Sequence, residues 1–225
     1  RRQRQMCIRD SLYPTHGLGP VSTMLDINRG NRMLYLTSTA TQSRGLKKYI
    51  LDKGGRSHPN ASVDFKCGDI VTTVIKCHQG QTIMLSHDTN NPRPYSLNFR
   101  VQGTLGIWQK DARSLYLEGL SKEEHRWEKE DKYLEEFDHP LWKRFQDQAA
   151  GAGHGGMDFF IFRAFVEALK GAEPVIDVYD AVSMSVISPL SEKSIRLGSA
   201  SVKIPDFTRG KWKKNKPIFG LNDQA

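Results

Sequence analysis

A phenol and an imidazole stand three residues apart in Leu12-Tyr13-Pro14-Thr15-His16-Gly17-Leu18-Gly19-Pro20. An imidazole has an ordinary pKa of about 6.5, so His16 can give or take a proton near neutrality, and Tyr13 can relay one or orient hydroxyls. The segment reads as a tight loop. Pro14 and Pro20 lock φ, while Gly17 and Gly19 allow positive φ or close approach. A rigid loop carrying a proton-transfer pair fits an active site; a packed turn whose polar tips bond the backbone fits the same residues. His58, His78, His87, His125 and His139 sit in polar stretches and read as surface or structural groups. Asp206 and Arg209 read as an internal ion pair or turn staple. No P-loop, HExxH or GxSxG pattern is present.

The elements that must position this pair follow from patterning. Val21 to Ile27 reads as a short helix, broken by the turn Asn28-Arg29-Gly30-Asn31-Arg32. Met33 to Thr41 is rich in β-branched and aromatic residues and predicts a strand; Arg44 to Asp52 is a helix candidate and Lys53 to Ser62 a loop. Strand candidates then crowd together at Asp69–Cys77, Gln81–Asp88, Ser96–Gly103, Gly106–Lys110 and Ser114–Glu118, with His78-Gln79-Gly80 as a hairpin turn. Loops this short join antiparallel strands, because parallel crossovers need a dozen or more residues. Ser121 to Glu136 is highly charged and reads as a solvent-exposed helix or loop. The small-residue hinge 149–156 leads into a helix from Met157 to Lys170, where the aromatic run Phe159 to Phe165 reads as core. Pro174 to Ser185 reads as a further helix and Ala200 to Ile204 as a last strand. The expected fold is α+β: an open, mostly antiparallel sheet with helices on one face.

Composition bounds the function. The 225 residues, 38% of them hydrophobic, suffice for one large domain or a domain with an appendage. No apolar run spans a bilayer and no signal peptide is visible. The formal charge of +8 lies largely in Arg1, Arg2, Arg4 and Arg9 and in a cluster from Arg209 to Lys216, without a recognition-helix or RNA-binding pattern, so these read as solvated tails and no nucleic-acid partner is expected. Cys7, Cys67 and Cys77 lack zinc spacing; Cys67 and Cys77 read as buried free thiols unless their segments form a bridged hairpin. No metal-ligand cluster is apparent. Met6-Cys7-Ile8-Arg9-Asp10-Ser11 resembles a translated transposon-end sequencing adapter, so residues 1–11 read as an adapter-derived or basic N-terminal artefact and 12–225 as the domain.

Five blocks in order carry a family resemblance: 12–20 (LYPTHGLGP), 27–32 (INRGNR), 91–96 (NPRPYS), 154–158 (HGGMD) and 205–212 (PDFTRGKW). Together they resemble the C-terminal half of glycoside hydrolase family 109, NAD-dependent α-N-acetylgalactosaminidases related to the glucose–fructose oxidoreductases. The resemblance implies the C-terminal substrate-binding domain of a bacterial protein whose N-terminal Rossmann domain, holding NAD, lies outside this sequence; the fragment alone is then expected to be inactive. It implies a terminal N-acetylgalactosamine glycan as substrate, with contacts from Tyr13, Pro14, Thr15, His16 and Tyr95, and a second active-site histidine at His154. Arg1 sits at the spacing of a family sugar-binding arginine, across the adapter-like segment. The implied reaction oxidises the sugar C3 hydroxyl, eliminates the aglycone from C1, adds water and returns the hydride. Glycosidases of this kind depart from the usual carboxylate pair, and none is evident here. His16 is the expected general acid/base at the leaving group, Tyr13 its orienting or relaying neighbour, and Tyr95 a further sugar contact able to act as a base. A periplasmic or cell-surface location is implied, with the cytoplasm as alternative, and homo-oligomers are compatible. Two other readings share the fold: an NAD(P)-dependent sugar or inositol dehydrogenase, and a carbohydrate-binding domain with a dead site.

Overall fold

A computed structural model describes residues 11–218. Arg1, Cys7 and the adapter-like segment through Asp10 lie outside the described residues. The chain divides into two compact units, one built from the sequence up to Arg93 together with that from Ile176, the other from Pro94–Val175. The expected α+β, antiparallel character is what the chain adopts, with its strands divided between two four-stranded sheets, one in each unit.

In the first unit the strands β1 (Met33–Ala40), β2 (Ile70–Cys77) and β3 (Thr82–Asp88) form an antiparallel meander, and β8 (Val202–Lys203) closes the other edge in the order β3-β2-β1-β8. The period of two in Ile70-Val-Thr-Thr-Val-Ile-Lys-Cys sorts its side chains between faces. Register pairs Leu36 with Ile75 and Ser38 with Thr73 on the inner face, all four buried. Tyr35, Val74 and Met84 emerge on the outer face, 41, 39 and 76% exposed. The buried hydroxyls are partnered: Ser38 Oγ meets Thr73 Oγ1 at 2.8 Å, and the Ser38 amide donates to Ser194 Oγ at 2.8 Å. His78-Gln79-Gly80 makes the hairpin turn, Gly80 taking φ of 98° that other residues resist.

Two helical segments cover the inner face. α1 (Thr15–Met24) contributes Leu18, fully buried, and α7 (Ile187–Arg196) contributes Ile187; both pack with Ile27, Met33, Leu36, Ile75 and Val202. Burying a side chain of this size stabilises by roughly 1.5–3 kcal/mol. α6 (Val178–Ser185) precedes α7 and starts with a capping box, the Asp177 carboxylate accepting from the Tyr179 and Asp180 amides. α2 (Gly45–Gly54) starts on Asp69, whose carboxylate accepts from the Arg44 and Gly45 amides at 3.0 Å.

The second unit is a meander of β4 (Arg100–Gly103), β5 (Gly106–Gln109), β6 (Ser114–Leu117) and β7 (Glu128–Lys129), with helices α3 (Asp131–Phe137), α4 (Pro140–Ala149) and α5 (Met157–Leu169). Pro140 opens α4, where its missing N–H costs nothing, and His139 caps it by accepting from the Leu141 amide. α5 corrects the sequence reading. The run Phe159 to Phe165 was expected as core, yet no residue of this helix is buried, and Ile161, Phe162 and Phe165 are 61, 68 and 60% exposed. Phe159 and Phe160 do meet Phe145 and Trp142, at centroid separations of 6.0 and 5.5 Å, so one side is packed and the other is not. No described helix is long and apolar enough to cross a membrane.

Candidate active site

A helix begins at Thr15, inside the segment expected as a loop, with Pro14 at its N-cap and Tyr13 just before it. The backbone of Pro14 already has helical angles, and the Leu18 amide donates to the Pro14 carbonyl at 2.9 Å, so the helix begins inside the motif rather than after it. Neither Gly17 nor Gly19 takes a positive φ, and only Gly17 is closely packed. A Cβ at Gly17 would lie 2.7 Å from Leu85 Cδ1, so a larger residue there must displace that side chain where α1 meets β3. Pro20 lies inside the helix and has no N–H for the His16 carbonyl, which frees that oxygen from the helix's own bonding.

This geometry joins the two expected proton-transfer residues. The helical angles of Pro14 and the helix start at Thr15 turn the chain between them. The rings of Tyr13 and His16 accordingly lie 4.5 Å apart, tilted by 32°. Both are exposed, Tyr13 by 61%, while Pro14 beneath them is buried and Thr15 half-buried. The pair is thus a solvent-facing shelf on an anchored helix start. A phenol and an imidazole on such a shelf can bond neighbouring hydroxyls and exchange a proton with a bound ligand.

The far end of α1 is held by a polar cluster that the sequence did not single out. After α1 the chain turns through Asn28 to Arg32, and Arg29 forms a bidentate pair with Asp180 of α6, both contacts 2.7 Å. The two side chains are 10 and 11% exposed. Burial works against the Asp180 carboxylate, but bonds from Arg29, the Asp177 amide and Asn28 outweigh it and hold its pKa below the ordinary value. Asn31 is fully buried and saturated: its amide nitrogen donates to the Leu25 carbonyl and Gln81, and its oxygen accepts from the Arg32 and Gln79 amides. Arg32 pairs with Asp206 at 3.3 Å. Asp206 also accepts from Thr208, the Gly210 amide and the Trp212 indole. The staple expected at Asp206 is therefore present, but its cation is Arg32 rather than Arg209. The turn residues of 28–32 were the available signal; their distant carboxylate partners left none.

Tyr95 and His154 belong to the second unit. At the end of β3, Asp88 accepts from the Asn91 amide and pairs with Arg93 at 3.3 Å, which folds the chain entering Pro94 and Tyr95. Tyr95 itself is 89% exposed. Its neighbour Ser96 is bonded to Asp111 and accepts from the Asn98 amide. His154 is exposed, with φ of 55°, and its Nδ1 contacts Asp158 at 2.9 Å on the turn that opens α5. Cys67 and Cys77 are both buried. A cleft of about 370 Å³ opens elsewhere, beside Thr41, Ser43, Asp64 and Lys66; its lining includes neither Tyr13 nor His16, and its mixed polar walls define no reaction.

Among the described residues no group of three His, Cys, Asp or Glu side chains is placed to hold a metal ion. A Rossmann-type dinucleotide site is built on a helix N-terminus after a parallel-sheet strand. Every strand pair between the named strands is antiparallel, so the described residues do not fit such a site.

Comparison with known proteins agrees with the resemblance in the five blocks. Residues 1–214 match the family model described as "Glycosyl hydrolase 109, C-terminal domain". A glycosyl hydrolase family 109 protein of Parabacteroides distasonis is 54% identical over 211 residues, 93% of this chain and 45% of the relative. An α-N-acetylgalactosaminidase of Tannerella forsythia is 51% identical over 222 residues, 98% of this chain and 47% of that protein. A Stenotrophomonas maltophilia family 109 protein is 53% identical over 213 residues, 94% of this chain and 47% of its own length. The chain spans about half the length of the curated relatives it matches. With a model match over nearly all of its length and identities above one half, this chain belongs to glycosyl hydrolase family 109, within which it corresponds to the C-terminal domain.

Proposed function

We propose that this chain is the sugar-handling part of an α-N-acetylgalactosaminidase, and that the Tyr13–His16 shelf meets the terminal N-acetylgalactosamine. One observation carries the reading: a phenol and an imidazole stacked 4.5 Å apart and open to solvent, in a chain 51% identical to a protein named for that activity. His16 protonates the leaving aglycone oxygen and later deprotonates the entering water. Tyr13 orients the sugar hydroxyls beside it, and the backbone of Pro14 and Thr15 lines the sugar. Tyr95 supplies a further sugar contact and can act as a base, and His154 bonds the substrate from the start of α5. NAD belongs to the polypeptide that the relatives carry outside their match to this chain; when bound it supplies a hydride acceptor.

The test is to incubate the full-length gene product with an aryl α-N-acetylgalactosaminide. Release of the aryl alcohol and free sugar, without accumulation of reduced nicotinamide, supports the hydrolase. Steady accumulation of reduced nicotinamide with free sugar overturns it in favour of a dehydrogenase, and binding without turnover leaves a carbohydrate-binding domain.

A further inference from the structure

Helix α5 presents an unfinished surface. Ile161, Phe162, Phe165, Val166 and Leu169 follow helical spacing along one side and are 61, 68, 60, 43 and 72% exposed. The other side is spent on Trp142 and Phe145. The unit has little else to stand on: its buried apolar side chains, among the described residues, are Leu115, Tyr133, Phe145 and Ala149. A core of that size does not sustain more than eighty residues without a further partner. The rim is polar, with Arg163 over the Phe145 ring and Lys170 paired to Glu167 at 3.2 Å, which is the pattern of an apolar centre in a charged border.

We infer that this face is the seat of the N-terminal half that the family relatives carry beyond their match to this chain. The inference rests on the reading above that the chain is part of a longer glycosidase. Two observations select this occupant. The matched relatives are about twice as long as the chain, so a domain-sized body must find a surface on it. A second copy is a poorer candidate. A helix of this length is about 20 Å long and about 10 Å wide, so a symmetric helix-on-helix contact covers a few hundred Å² per copy, against roughly 800 Å² in a standard interface. A separate domain can cover the stripe and continue onto the elements around it.

The test replaces Phe162 with photoreactive p-benzoylphenylalanine in the full-length gene product, which keeps an aromatic ring at the position. After irradiation, the joined peptides are identified by mass spectrometry. The expected result is an intramolecular crosslink from position 162 to peptides preceding Leu12, at least tenfold more abundant than from the same probe at Leu105, 72% exposed on the β4–β5 turn. Crosslinks to peptides within residues 11–218, a product of doubled mass, or reaction with solvent alone each overturn the inference. The map is independent of turnover, so an inactive enzyme with this crosslink refutes the proposed activity and not the docking, and an active enzyme without it does the reverse.

Discussion

Replacing Arg29 with methionine keeps the length of the side chain and removes the guanidinium that holds Asp180 at two contacts of 2.7 Å. Breaking a buried pair costs about 3–5 kcal/mol, because the remaining charge stays buried. Asp180 keeps bonds from the Asp177 amide and Asn28, which places the variant at the lower end, about 3 kcal/mol, or roughly 150-fold in the opening equilibrium. The pH dependence then changes sign. In the native protein the Asp180 pKa is held below its ordinary value, so its contribution is complete above about pH 4 and is lost only as the pH falls through the lower folded value. Without Arg29, burial dominates and raises the folded pKa above the unfolded one. The deficit is then full at neutral pH and shrinks as the pH falls and Asp180 takes up its proton. Native-state hydrogen exchange at the β1 and β2 amides reports opening of this unit, corrected for the intrinsic rate at each pH. A deficit below about 1 kcal/mol at pH 7 would refute the Arg29–Asp180 pair as a stabilising link between the turn after α1 and α6.

Three further outcomes follow from particular contacts. Gly19→Ala should stabilise the protein by up to about 1 kcal/mol through helix propensity, since its Cβ meets only Met184 Sδ at 3.9 Å. Gly17→Ala gains the same but must displace Leu85 from 2.7 Å, an overpacking cost of about 1–3 kcal/mol; equal melting temperatures for the two variants would show that α1 does not lie this close to β3. Burial pushes the Cys77 thiol up to about 11, so in a Cys7→Ser/Cys67→Ser background an aromatic disulfide reagent at pH 8 should react on the order of 100-fold more slowly with the native protein than with the urea-unfolded one. A ratio under ten would contradict the packing around β2. Arg32→Ala should lower stability by about 1–2 kcal/mol by removing a cation from Asp206, while Arg209→Ala should change it by less than about 0.5 kcal/mol; the reverse order in urea titrations would restore Arg209 as the partner.

The sheet was legible because its signals are local. Ile70 to Cys77 is β-branched with period two, and His78-Gln79-Gly80 is turn chemistry. The start of α1 was not, because Gly17, Gly19 and Pro20 are all poor helix formers, and the packing of Leu18 and Val21 against the core overrides them. The spacing of Tyr13 and His16 was sufficient to single out the pair, but not to show that a helix starts between them, at Thr15, and turns the chain so that the rings meet. Asp206 was recognised as a staple, but its nearest sequence cation, Arg209, is not the one that tertiary structure delivers. The apolar periodicity of α5 was read correctly as a helix face and wrongly as core. Periodicity reports that a face must be covered, and does not say by what.

The measurement closest to the central claim is the kinetics of His16→Ala in the full-length gene product with an aryl α-N-acetylgalactosaminide. A positioned general acid/base contributes roughly 10²–10⁴-fold, so kcat should fall by that order while KM changes only a few-fold. An unchanged kcat, in an enzyme that cleaves this substrate, would remove His16 from the chemistry and reduce the Tyr13–His16 shelf to a packed helix start.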